Sequence, residues 1–552
     1  MSDGPVDRQG LSLGEFRERV DARLRIWEEQ QFGARLWHKD PTLWSPEPVP
    51  EIVDRLGWLD LPTAMAAAVE ELTAFAQEIR AAGITRVVLL GMGGSSLAPE
   101  VFQRTFGPSP GFPDLTVLDS THPDAVRALS DAIEVDKTLF VVSSKSGTTL
   151  ETLSLFRFFW AQAESLGAAR GGHFAAVTDS GTPLEALARE RGFAKVFSAT
   201  ADVGGRYSAL THFGLLPAAL LGTDVSAILA SARAAAASCG PEVLVRDNPA
   251  LALGAALGEL ALAGRDKATL VASPSLAALP IWLEQLIAES TGKAGRGIVP
   301  IADEALGSVS DYRADRFFVH LRLAGEPEAE NAARLAELEK AGHPVARVDV
   351  ADKEDLGGIF FLWEAAVAAA GAVLGIHPFN QPDVQLAKEL AKKAMAAKNA
   401  AHASSAVSAD RKDELASALA SWMDSARGGD YVAIQAYLAP DAERWEGLQS
   451  LRLALRKRMG SATTVGYGPR FLHSTGQLHK GGPNTGLFLQ ITDEPAARVP
   501  VPETDFTFNE LIRAQAAGDG LAMRQRNRRV LSVNLGENAG ERLSRLIEAL
   551  AP

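Results

Sequence analysis

The sequence predicts an α/β protein built on parallel sheets with helices on both faces, and three observations carry that prediction. From about Leu72, helical stretches of ten to fifteen residues alternate with short β-branched runs, the pattern of consecutive crossover units. Turns rich in glycine and serine follow the strands and precede the helices, which is where such sheets bind ligands. A chain of 552 residues, 47% apolar and 22% charged, is long enough for two to four domains with large cores.

In chain order, residues 1–55 read as a helical N-terminal arm. Leu13, Phe16, Val20, Leu24 and Trp27 recur three or four apart and share one side, a packing or oligomer face. A first α/β unit is expected over 56–245, with a helix to Ala82 and strands over 86–90, 115–118 and 138–142. A second unit, 246–399, carries strands over 269–272, 297–300, 316–323 and 345–349 and a helix over 275–290. Residues 400–412 include AHASSAVSAD, small and polar enough for a linker, although the neighbouring alanine-rich tract could prolong a helix. A C-terminal α/β region over 413–552 has strands at 431–438, 463–466, 486–491 and 529–534.

The net charge of −13 argues against nucleic acid as a partner. Cys239 is the single cysteine, so an intrachain disulfide framework is excluded and a reducing compartment is expected. The start MSDGPVDRQG lacks the pattern of a secretion signal, and the best apolar run, 365–376, is short for a bilayer. A cytoplasmic protein without a membrane partner is the expectation.

Five turns carry the chemistry. The first, SKSGTT, lies at 144–149 between a strand and a helix whose apolar period runs through Leu153, Phe156, Phe159 and Trp160. Hydroxyls, N–H groups and the positive end of the helix converge there, a means of holding a phosphate. GMGGSS at 91–96 lacks the third glycine of a dinucleotide fingerprint and the Gly-Lys-Ser/Thr of a phosphate loop, and it brings backbone and Ser95 close to a ligand. GGRYS at 204–208 fixes Arg206 beside a pocket, where its permanent charge suits an oxyanion. In WLEQLIAESTGK at 282–293, Gln285 and Glu289 share a helix face, so Glu289 can serve as a general base. In HPFNQPDVQLAK at 377–388, Pro382 reads as first-turn proline, and Gln381 and Lys388 lie two turns apart on one side.

Taken together, GMGGS, SKSGTT, VGGRYSAL, QLIAESTGK and PFNQPDVQLAK resemble phosphoglucose isomerase in the family's order, most closely the bacterial branch in which an isomerase region can be fused to transaldolase. No transaldolase-like module is identifiable here. The resemblance implies two sugar-isomerase (SIS-type) doubly wound domains, a homodimer, and isomerisation of glucose 6-phosphate and fructose 6-phosphate through a cis-enediol. It places the phosphate on Ser144, Ser146 and Thr149, with Lys145 and Thr148 in the same loop. Gly94 and Ser95 would line the sugar, and Gln285 and Gln381 would hydrogen-bond it. Glu289 matches the family's base, Arg206 the residue stabilising the enediolate, and Lys388 a residue helping ring opening. None of these steps needs a metal or a redox cofactor.

The family's ring-opening histidine, in a GTNGQH-like segment after the base, is missing at that place. FLHSTGQLHKGGPNTG at 471–486 offers a substitute, with His479 expected to enter the sugar pocket and His473 as the lesser candidate. His320, in an expected strand, reads as a core or edge histidine, and His377 as a structural neighbour. No carboxylate near His473 and His479 completes a metal site. Thr291 and His377 could alter control at the second carbon and admit mannose 6-phosphate; a non-catalytic sugar-phosphate sensor is the reading from another class.

Overall fold

The computed structural model describes residues 9–396 and 406–550. Its first strand, Gln9–Ser12 (β1), joins the second of three five-stranded sheets. The first sheet holds Arg86–Gly91 (β2), Asp114–Leu118 (β3), Thr138–Ser143 (β4), Phe174–Asp179 (β5) and Lys195–Ala199 (β6) in the order β3-β2-β4-β5-β6, all parallel. Every residue of β4 is buried, as expected of a central strand covered on both faces. The order is that of a doubly wound sheet, with its reversal between β2 and β4.

The second sheet contains Lys267–Ala272 (β7), Val299–Ile301 (β8), Arg316–Leu323 (β9) and Val345–Val350 (β10), in the order β1-β10-β9-β7-β8. β1 is its antiparallel edge, Gln9 opposite Val348 and Ser12 opposite Val345. The N-terminal arm is therefore not purely helical. Its helix, Arg17–Glu29, buries Val20, Leu24 and Trp27, and Arg23 Nε donates to Glu259 at 2.8 Å.

The third sheet comprises Val407–Ser408 (β11), Tyr431–Tyr437 (β12), Ala462–Tyr467 (β13), Gly486–Thr492 (β14) and Arg529–Asn534 (β15), in the order β11-β15-β14-β12-β13. It has its own core around Leu419, Ile434, Leu451, Leu489 and Leu543. Of the linker expected at 400–412, residues 400–405 lie outside the described residues. The remainder holds β11 and the start of the Lys412–Asp424 helix.

The helix Leu356–Leu374 runs through the interior shared by the first two sheets. Its stretch Lys353–Leu374 is long and apolar enough to cross a membrane by length and composition, contrary to the short run expected, and 94% of its apolar window is buried inside the protein. Two helices start later than the sequence pattern suggests. The base helix is Leu279–Thr291, opening at Pro280, and the helix carrying Lys388 is Gln385–Ala396, so Gln381 lies in the preceding loop and not on its face.

Candidate active site

The GMGGSS and SKSGTT turns follow β2 and β4, the neighbouring strands at the reversal of the first sheet. Gly93 has φ +57°, and a Cβ there would lie 2.7 Å from the carbonyl oxygen of His473. A Cβ on Gly94 would stand 2.0 Å from the Gly205 carbonyl oxygen, so only glycine lets this turn close on the turn bearing Arg206. Ser95 is buried in the same turn.

In the second turn, Ser144 Oγ lies 3.0 Å from Thr149 Oγ1, and Ser146 Oγ lies 2.9 Å from Thr148 Oγ1. Thr149 precedes the helix Leu150–Gln162 without a side-chain capping bond, which leaves the first-turn N–H groups directed at this loop. Lys145 Nζ donates to Asp179 Oδ2 at 2.7 Å and to the Thr200 carbonyl at 3.3 Å, tying the loop to the ends of β5 and β6.

Across from these turns, Arg206 Nη1 lies 2.8 Å from Glu289 Oε1. The guanidinium is only 2% exposed and the carboxylate 13%. Arg206 also donates through Nε to Ser290 Oγ (2.9 Å), through Nη1 to Gln381 Oε1 (3.1 Å), and through Nη2 to the carbonyls of Pro378 (3.0 Å) and Asn380 (2.8 Å). Five partners hold the fork in one plane of approach to Glu289. Gln285 Nε2 donates to Glu289 Oε2 at 3.0 Å and to the His473 carbonyl at 2.8 Å, while its Oε1 is buried with no partner among the described residues.

The two histidines of the 471–486 segment meet opposite fates. His473 ends the short turn Arg470–His473, and its Nε2 lies 2.9 Å from Glu151 Oε1, in the first turn of the helix after SKSGTT. Burial alone would raise the Glu151 carboxyl, but the His473 charge and hydrogen bond, with the Lys388 charge, bring it below its ordinary value. Gln515 Nε2 donates to the same Oε1 at 2.8 Å. Lys388 itself is exposed on the Gln385–Ala396 helix. His479, the residue favoured from sequence, is buried between Phe471 and Phe488, with Nδ1 3.2 Å from Gln435 Nε2. Burial pushes its pKa well below the usual value, which keeps the ring neutral. The preceding Leu478 packs so closely on Gly292, at the end of the Leu279–Thr291 helix, that a Cβ there would lie 2.3 Å from the Leu478 Cα.

Other sequence-derived candidates have structural partners. His320, in β9, has Nε2 2.9 Å from Oε2 of Glu328, which immediately precedes the helix Ala329–Lys340. His377 spans Pro50 O and Phe379 N, and burial pushes its pKa down to about 4. Thr291 Oγ1 donates to Ile287 O and accepts from Ile298 N. Among the described residues no group of three or more His, Cys, Asp or Glu side chains is placed to hold a metal ion.

Two residues with direct bearing on the site were not singled out from sequence. Glu151 stands two residues beyond SKSGTT, and its carboxylate inside the first helical turn was the available signal. Lys293 closes QLIAESTGK; its buried Nζ donates to Ser290 O (3.0 Å) and His377 O (2.7 Å), stapling the base helix to the loop that grips Arg206. Burial, and then the Arg206 charge, drive the Lys293 pKa well below its ordinary value.

Residues 61–302 match the family model described as phosphoglucose isomerase. The glucose-6-phosphate isomerase of Rubrobacter xylanophilus is 31% identical over 375 residues, covering 57% of this chain and 83% of that protein. That of Heliobacterium modesticaldum is 32% identical over 381 residues, covering 60% and 84%. A crystal structure from Thermus thermophilus, titled as a hypothetical protein, superposes with a TM-score of 0.61 at 25% identity, over 70% of this chain and 99% of that one. With these relatives aligned over most of their own length, the chain belongs to the phosphoglucose isomerase family.

Proposed function

We propose that this protein interconverts glucose 6-phosphate and fructose 6-phosphate by moving one proton between the first two carbons. The observation that carries the reading is the pair Glu289–Arg206 at 2.8 Å, linked through Gln285 to the backbone of His473. The phosphate is taken by Ser144, Ser146, Thr148 and Thr149 and the start of the Leu150–Gln162 helix, an interaction worth roughly 0.3–2 kcal/mol from the helix dipole alone. His473, oriented by Glu151 and aided by Lys388, protonates the ring oxygen as the anomeric hydroxyl loses its proton. The open chain then exposes the carbon acid. Glu289 removes the proton from C2 and returns it to C1, a second proton passes from the C2 oxygen to the C1 oxygen, and Arg206 carries the negative charge of the enediolate oxygen between those steps. Gln285, Gln381, Gly94 and Ser95 position the hydroxyls, and the reaction balances without electron transfer.

A sensor would have no use for a base paired this closely with an oxyanion partner. The same reading takes a homodimer, which sedimentation of the purified chain would test, and a cytoplasmic enzyme. Glu289→Gln keeps the hydrogen bond to Gln285 and abolishes the base. Turnover of fructose 6-phosphate should fall roughly 10³-fold, within the span of general acid–base contributions, while sugar-phosphate binding persists. Undiminished turnover in this variant would overturn the assignment.

A further inference from the structure

The His473 turn comes from the third sheet yet must stand over a site built by the first two. Resting on the reading of His473 above, we propose that Arg470 positions this histidine for ring opening, by clamping its turn to Glu100 and Asp119 of the first sheet.

Arg470 and His473 are the two ends of one four-residue turn, so whatever holds the first sets the second. The Arg470 guanidinium pairs with Glu100 through Nη2, and its Nε lies 3.1 Å from Asp119 Oδ2. Glu100 lies in the helix Leu97–Phe106, which begins directly after GMGGSS, and Asp119 follows β3. Ser96 Oγ lies 3.0 Å from Asp119 Oδ2 and 3.1 Å from the Gly93 carbonyl. The clamp therefore ends on the turn that brings Gly94 and Ser95 to the sugar. Arg470, Glu100 and Asp119 are 22%, 19% and 12% exposed, so water screens their attraction less than that of a surface pair. A guanidinium can fork to carboxylates on two different elements; an ammonium satisfies one geometry at a time. Glu151 and Gln285 hold the ring and the carbonyl of His473, and Arg470 holds the other end of the turn.

The test is a cycle of Arg470→Met, Arg470→Lys, His473→Ala and the double variant Arg470→Met/His473→Ala. Each is assayed on glucose 6-phosphate, and on a four-carbon aldose phosphate, which cannot close a ring, by exchange of its C2 hydrogen with solvent. Arg470→Met should lower kcat on the cyclic substrate about tenfold, leave KM and C2 exchange within about twofold, and be only partly rescued by lysine. In the His473→Ala background the same change should cost nothing further. An equal loss in both backgrounds, or a parallel loss of C2 exchange, would mean that Arg470 acts on the fold and not through His473, and the proposal would fall. A His473→Ala enzyme impaired on the cyclic substrate beside an unimpaired Arg470→Met would overturn the clamp alone. Undiminished ring opening in His473→Ala would overturn the histidine reading and the clamp together. Should Arg470→Met fail to fold, Glu100→Gln keeps the arginine and should show the same pattern at smaller size; its absence there would count against the clamp.

Discussion

The first and third sheets share a strand order and serve the site in opposite ways. Read from the edge nearer the reversal, the first four strands run β3-β2-β4-β5 in the first sheet and β13-β12-β14-β15 in the third. The first uses its reversal as such sheets ordinarily do, placing two ligand turns after the neighbouring strands β2 and β4. In the third, the turn bearing His473 leaves from β13, the strand at the sheet's end, and meets Glu100, Asp119 and Glu151 across hundreds of positions of chain. A strand order thus says where a sheet can bind, and only the surrounding contacts decide whether that place is used.

The largest effect that can test this contrast comes from the two histidines of the third region. His473→Ala should reduce turnover of cyclic substrate roughly 10²-fold or more, as for loss of a general acid. His479→Ala should leave kcat within about twofold and instead cost roughly 2–4 kcal/mol of stability, since it opens a cavity between Phe471 and Phe488 and strips Gln435 of a partner. Steady-state kinetics beside chemical denaturation would separate them, and reversed outcomes would break the comparison.

A smaller effect sharpens the part contributed by the first two sheets. Lys293→Met leaves the carbonyls of Ser290 and His377 without their buried donor, a cost of roughly 1–3 kcal/mol for each group. Slackening of the loop that grips Arg206 should lower kcat/KM about tenfold, and wild-type kinetics in a destabilised Lys293→Met would show the staple to be structural only.

The last effect lies between the regions, touches stability and not turnover, and vanishes at low pH. Burial pushes the Glu284 carboxyl up to about 8, with the nearby Asp303 charge adding to it and Arg452 and Arg470 opposing it. A carboxyl whose folded pKa is raised contributes its stability fully below the unfolded value, and that contribution is lost as pH rises through the folded value. Glu284→Gln should therefore match the wild type near pH 4 and gain on it steadily up to about pH 8, by a few kcal/mol at ~1.4 kcal/mol per unit. Urea midpoints across that range would measure the divergence, and parallel curves would show that Glu284 titrates normally.

Much of the site could be read from residue order because its first half is local. Ser144 to Thr149 act within one turn, and Gln285 and Glu289 are one helical turn apart, so spacing alone aligns them. Lys145 also meets Asp179, a partner that the loop's own sequence does not show and that follows from the pairing of β4 with β5. Strands β1, β5, β6 and β11 were not foreseen; β1 and β11 are four and two residues long, and their pairing partners lie far along the chain.

By itself the sequence determined the parallel α/β class, the family and the hydroxyl-rich loop after β4, since each rests on periodicity or on short runs of residues fixed within a few positions of one another. Only the tertiary structure decided which histidine pairs with Glu151, which is buried among aromatic rings, and that Arg470 pairs with Glu100 and Asp119. Two histidines six residues apart look alike in sequence. Burial, aromatic neighbours and the carboxylate at 2.9 Å separate them, and all three arise from packing between sheets that the local pattern does not encode.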